Sequence, residues 1–87
     1  EKEGLPAGAR QYLLNGVTTV RDVGSPMEIV KVRDRIQRGE IPGARLFVSG
    51  QMLQRRFRPI YIGWGVEVTG LEDAQAKVRQ LIAAGVD

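Results

Sequence analysis

The chain has 87 residues, 43% of them apolar and 26% charged, which fits one small globular domain and sets aside disordered and collagen-like classes. It contains no cysteine and no histidine, so disulfides, thiolate or imidazole metal sites and the commonest general base are all excluded. The net charge is +3, but the thirteen basic residues are interspersed with ten acids and only Arg55, Arg56 and Arg58 cluster, a poor pattern for a nucleic-acid reader.

Pro6 suits the first turn of a helix running to about Asn15, with Gly16 as its cap and Ala9, Tyr12 and Leu13 as a narrow apolar stripe. The β-branched run Val17–Val23 then reads as a strand closed by Gly24. Ser25-Pro26-Met27-Glu28 has the form of a capping box: Ser25 as N-cap, Pro26 at the first helical position, Glu28 three residues after the cap. The helix it opens should reach Arg38, bury Ile29, Val32 and Ile36, and end at Gly39. Pro42-Gly43 turns the chain into a second strand, Arg45–Ser49, ending at Gly50.

Residues 51–69 follow no single period and read as a long loop, an excursion of the kind that usually has a function. Thr69-Gly70-Leu71-Glu72 offers a second capping box. The last helix should run to about Ala84 with Leu71, Ala74, Val78, Leu81 and Ile82 inward and Gly85 as cap; Val86-Asp87 resembles the start of another strand. No apolar run approaches the ~20 residues of a membrane span, and the cytoplasm is the default location.

Alternation of this order implies an α/β fold with parallel strands and right-handed crossovers. Parallel sheets are covered on both faces, and two strands with three helices cannot supply that cover. The expectation is an incomplete unit: part of a (β/α)8 TIM-barrel, cut from something longer, as a start at Glu1-Lys2-Glu3-Gly4 also suggests.

The run Asn15-Gly16-Val17-Thr18-Thr19-Val20-Arg21-Asp22-Val23-Gly24, then Arg38-Gly39-Glu40-Ile41-Pro42-Gly43-Ala44-Arg45-Leu46-Phe47-Val48-Ser49-Gly50, and the closing Ala76–Asp87, resemble the metal-dependent amidohydrolase superfamily, in its imidazolonepropionase-like and prolidase-like branch. The resemblance implies a TIM barrel that hydrolyses amide bonds of dipeptides or acylated amino acids with zinc or another divalent metal. The metal site of such enzymes uses a His-x-His pair after the first strand, a lysine or acid on the fourth, histidines on the fifth and sixth, and an aspartate on the eighth. None of these can be placed on this chain, which would hold the first through third helices and strands two and three, roughly a third of a barrel of about 250 residues. Many relatives carry Gly-Gly-His-Gly after the third strand, where this chain reads Gln51–Glu67 with no histidine. No cofactor and no catalytic residue is expected in the chain itself.

Six residues are candidates for substrate contact. Arg21 and Asp22 fall at the carboxyl end of a strand, where barrel sites form; the competing role is an Asp that holds the next loop. Arg55, Arg56, Tyr61 and Trp64 lie on the long excursion, where the arginines could take a carboxylate by a bidentate fork or grip phosphates, or simply be solvated on a loop held by aromatic packing. Ser49 lacks a paired base and reads as a turn hydroxyl, and Glu67, Glu72 and Asp73 read as loop and first-turn acids. Gly24 and Gly50 begin no dinucleotide fingerprint. Three readings stand: an inactive fragment of an amidohydrolase, an independent α/β module that binds or self-associates, and a basic nucleic-acid binder. Exposed strand edges favour a second copy or the rest of a barrel as partner.

Overall fold

A computed structural model describes residues 4–56, 58–59 and 62–87. Strands β1 (Thr19–Asp22) and β2 (Arg45–Val48) pair in parallel, with Thr19 opposite Arg45 and Asp22 opposite Val48. They are joined through helix α2 (Glu28–Gln37), and helix α1 (Gly4–Leu14) precedes them. This is the βαβ unit that the alternating pattern predicts.

Strand periodicity decides what each face of this sheet meets. Leu46 and Val48 are buried with Ala9 of α1 and Ile29, Val30 and Val32 of α2, and Val20 packs against the same cluster. Burying side chains of this size stabilises by about 1.5–3 kcal/mol each. The intervening residues point the other way. Thr19, Arg21 and Arg45 are exposed, and Phe47 is half-buried with the Arg45 guanidinium 4.9 Å from its ring centroid. Helices thus cover one face of a parallel sheet and leave the other bare, the arrangement of a barrel wall seen without its neighbours.

Several expectations need correction. Ser25 does not cap α2. The helix starts later, at Glu28 with Met27 as its boundary residue, and no side chain bonds its free N–H groups. The entry is instead a tight turn in which Ile29 N–H donates to Pro26 O (3.1 Å) and Val30 N–H to Met27 O (3.2 Å). The Ser25 N–H donates to Gly50 O at 3.0 Å, so this residue still belongs to the connection beside β2. At the third helix the capping box shifts by one residue. Helix α3 (Leu71–Ala83) has Gly70 as its boundary, and Asp73, not Glu72, reaches back to accept from the Thr69 N–H at 2.9 Å.

The stretch 51–69 is not a structureless loop. It holds two short strands, β3 (Met52–Gln54) and β4 (Gly65–Glu67), paired in parallel with Met52 opposite Gly65 and Gln54 opposite Glu67. Three residues per strand are too few for a period to show. The buried stripes of α1 and α3 are narrower than expected. Ala9 is buried, but Tyr12 and Leu13 are exposed. On α3 nothing is fully buried: Ala74 and Leu81 are half-buried, while Leu71, Val78 and Ile82 face outward. That helix carries two apolar stripes, and its own chain covers only one.

The glycine caps are as expected, with Gly16, Gly39 and Gly85 all at positive φ beyond their helices. Gly50 differs in kind. It combines φ +73 with a crowded site, where a Cβ would stand 2.7 Å from Met27 Sδ and 3.2 Å from Val86, so any other residue there is strained and must displace its neighbours. The expected new strand at Val86-Asp87 is not formed within the described residues, although Asp87 N–H donates to Val48 O at 2.8 Å, on the edge of β2 away from β1. No described helix is long and apolar enough to cross a membrane.

Candidate functional site

The carboxyl ends of β1 and β2 frame an open cavity of about 320 Å³ that includes Arg21, Asp22, Phe47 and Ser49 in its lining. Arg21 and Asp22 are neighbours in sequence, and strand alternation sends them to opposite faces. Arg21 stands on the bare face opposite Phe47. Asp22 turns toward the helices, where its Oδ1 accepts a long bond from the Gly24 N–H (3.5 Å) and its buried Oδ2 has no partner among the described residues. Both residues therefore border the cavity at the strand ends, but their side chains leave β1 on opposite faces: Arg21 on the bare side, Asp22 toward its own loop. A second cavity, about 180 Å³, lies on that helical side against Asp22, Tyr12 and Ser25.

Ser49 behaves as a turn hydroxyl. Its Oγ and its N–H both donate to Asp22 O, at 3.2 and 3.3 Å, tying the ends of the two strands together.

The excursion docks onto the end of β1 through Gly24. A Cβ there would lie 2.7 Å from Met52 and 3.2 Å from the Trp64 ring, so the absent side chain is what admits both. Trp64 is half-buried, and its carbonyl accepts the Met52 N–H at 2.8 Å. Trp64 thus anchors the base of the excursion. Arg55, Arg56 and Arg58 are exposed just beyond the end of β3. At the end of β3 the Gln54 Oε1 is buried without a hydrogen-bond partner among the described residues. Tyr61 falls outside the described residues, as does Phe57.

One node escaped the sequence reading. Arg33 of α2 is buried, and its Nη1 donates to Asp87 Oδ2 at 2.9 Å while its Nε and Nη2 reach Asp34 Oδ1 at 3.1 and 3.0 Å. The same Asp87 oxygen accepts the Val48 N–H at 2.8 Å. These bonds hold the Asp87 carboxyl below its usual range, the Val48 N–H contributing most and Arg33 next. Burial works against the charge on Arg33, but the bonds to Asp87 and Asp34 outweigh it and raise its pKa. The signal was present in the sequence: Arg33 sits four residues after Ile29 and three before Ile36, on the apolar stripe of its helix. Asp73 is likewise lowered, by the Thr69 N–H first and the Lys77 ammonium (3.1 Å) next.

The donor set does not suit a zinc ion. The sequence has neither histidine nor cysteine, and among the described residues no three carboxylates converge.

No family model matches the chain, and no curated protein matches it. Among solved structures, the crystal structure of A. niger ochratoxinase is similar over 98% of this chain with a TM-score of 0.75 and 22% sequence identity. The chain spans 25% of the length of that protein. At this identity the likeness is one of fold, and with the one-sided βαβ unit it gives the architecture plainly: a partial TIM-barrel-like α/β segment.

Proposed function

We propose that residues 1–87 are the first-helix to third-helix segment of a barrel hydrolase that, in its intact form, cleaves amide bonds of dipeptides or acylated amino acids. The observation that carries this reading is the one-sided cover of the β1–β2 sheet, matched by the fold of a quarter of ochratoxinase. The metal that the resemblance implies would be held by residues outside this chain, and no catalytic step is assigned to the residues present. Their part is scaffold and rim. Arg21 would face the barrel interior, and Arg55, Arg56 and Trp64 would line the substrate side of the excursion. The natural partner is the remainder of the barrel, laid against the open edge of β1 and the bare face of Arg21, Arg45 and Phe47.

A self-associating module is the second reading, favoured by the outward Leu71, Val78 and Ile82 of α3 and by the exposed Val23. One set of proteins separates the two. The 87-residue chain and a version extended along its own coding DNA are assayed on dipeptides and N-acyl amino acids with zinc restored. Hydrolysis by the extended protein, abolished by a chelator and absent from the short chain, is the expected result. Turnover by the short chain that survives repurification would overturn the assignment, as would an extended reading frame with no histidine-bearing strands.

A further inference from the structure

We propose that the outward face of α3 is a docking surface for the same helix of a second copy of this chain, the two helices lying antiparallel about a two-fold axis. The inference rests on the self-associating reading and names the surface which that reading uses. Along α3, Leu71, Gln75, Val78 and Ile82 are all exposed, and Leu71 and Ile82 keep 75% and 66% of their surface open. Their spacing is four, three and four residues, the alternation that draws a two-helix seam along one side of a helix. The chain's own packing uses a different side. Ala74, Lys77 and Leu81 are half-buried there, with Leu81 close enough to meet a Cβ at Gly50 at 3.3 Å.

Charge selects the occupant. Glu72 and Arg79 flank the stripe on one side, seven residues apart, and both are exposed. Neither belongs to an ion pair among the described residues, whereas Asp73 and Lys77 of the same helix pair with each other. When two copies lie antiparallel with Leu71 against the partner's Ile82, Gln75 falls against the partner's Val78, and both contacts recur in reverse across the axis. In that register each Glu72 lies beside the partner's Arg79, so the two-fold makes two pairs of opposite charge. A parallel arrangement sets Arg79 beside the partner's Ala74, and neither pair forms. A helix supplied by a longer chain would also cover the stripe, but such a cover calls for no reciprocal order of charges on α3. Thirteen residues give a seam of about 20 Å, smaller than a standard interface, so the complex is a weak one with Kd between about 1 μM and 1 mM.

Sedimentation equilibrium of the 87-residue chain across that concentration range, at low ionic strength, reads the association, and circular dichroism checks that each variant is folded. Glu72→Arg and Arg79→Glu, each alone, should weaken self-association by about tenfold, because two pairs are lost and two repulsions replace them. Arg79→Gln, which alters the helix least, should weaken it by about threefold. Mixed in equal amounts, the Glu72→Arg and Arg79→Glu chains should bind each other as tightly as the parent binds itself, since every pair in the mixed dimer is again opposite in sign. Lys31→Glu, at an exposed cation on α2, should leave the parent affinity unchanged. A constant monomer mass for the parent would overturn the surface and the self-associating reading together. Association that persists in both charge variants, equal weakening by Lys31→Glu, or a mixture no tighter than its components would overturn the antiparallel seam alone.

Discussion

Removing the Asp87 carboxylate tests the node that ties α2 and β2 to the chain after α3. In Asp87→Ala, one oxygen is lost that accepts two hydrogen bonds, from the Val48 N–H at 2.8 Å and from Arg33 Nη1 at 2.9 Å. Bonds to a charged acceptor are worth about 1.5–3 kcal/mol each when shielded from water. The Asp87 side chain is 38% exposed, so water replaces part of that, and Arg33 keeps its bonds to Asp34. Halving the sum leaves a loss of about 2 kcal/mol, which in a domain of this size lowers the melting temperature by roughly 10 °C. Urea unfolding followed by circular dichroism measures it. The acid dependence has a definite sign. Because the folded Asp87 titrates below the ordinary value of 3.8, its contribution is complete above that pH and fades as pH falls through the lowered value. The gap between parent and variant should therefore close in acid. A loss under about 0.5 kcal/mol at neutral pH, or a gap that widens in acid, would refute the account of the node.

Gly24→Ala should cost about 1–3 kcal/mol and shift the emission of Trp64, the only tryptophan, because the new methyl has to displace Met52 and the indole; unchanged fluorescence would mean the excursion is not seated there. Ser25→Ala should change stability by less than about 0.5 kcal/mol in urea unfolding, since its side chain caps nothing, and a loss near 1 kcal/mol would restore it as an N-cap. The isolated chain should gain mass with concentration in sedimentation equilibrium, driven by the open β1 edge and the outward stripe of α3, and Ile82→Glu should reduce that gain; a constant monomer mass would contradict it.

What the sequence made legible follows from how far each signal extends along the chain. The β1–α2–β2 unit was readable because β-branched runs alternate with a ten-residue amphipathic helix, and each has enough positions for its period to appear. The glycine caps were readable because a positive φ is a local demand. The capping boxes were not reliable guides. Ser25 matches the pattern, yet its N–H is committed to Gly50 O, a residue 25 positions away that no local motif can announce. Strands β3 and β4 failed for the opposite reason. Each has three residues, and their pairing is set by what they dock against, through Gly24, rather than by their own composition.

The candidate site divides along the same line. Arg21 and Asp22 lie at the carboxyl end of β1 and Ser49 follows β2, but the sequence could not say which face Arg21 and Asp22 each take, because a one-residue slip in register exchanges them. Burial of Val20, Leu46 and Val48 against α1 and α2 is what fixes that register and so leaves Arg21 beside Phe47 on the bare side. The same packing explains why the bare side is polar. Two arginines on the uncovered face of a parallel sheet, one stacked over Phe47, would be costly against an apolar layer without partners. A surface that completes this sheet must therefore bring acceptors to Arg21 and Arg45 as well as an apolar group to Phe47, which a mixed polar barrel interior can supply and a purely apolar helix cannot.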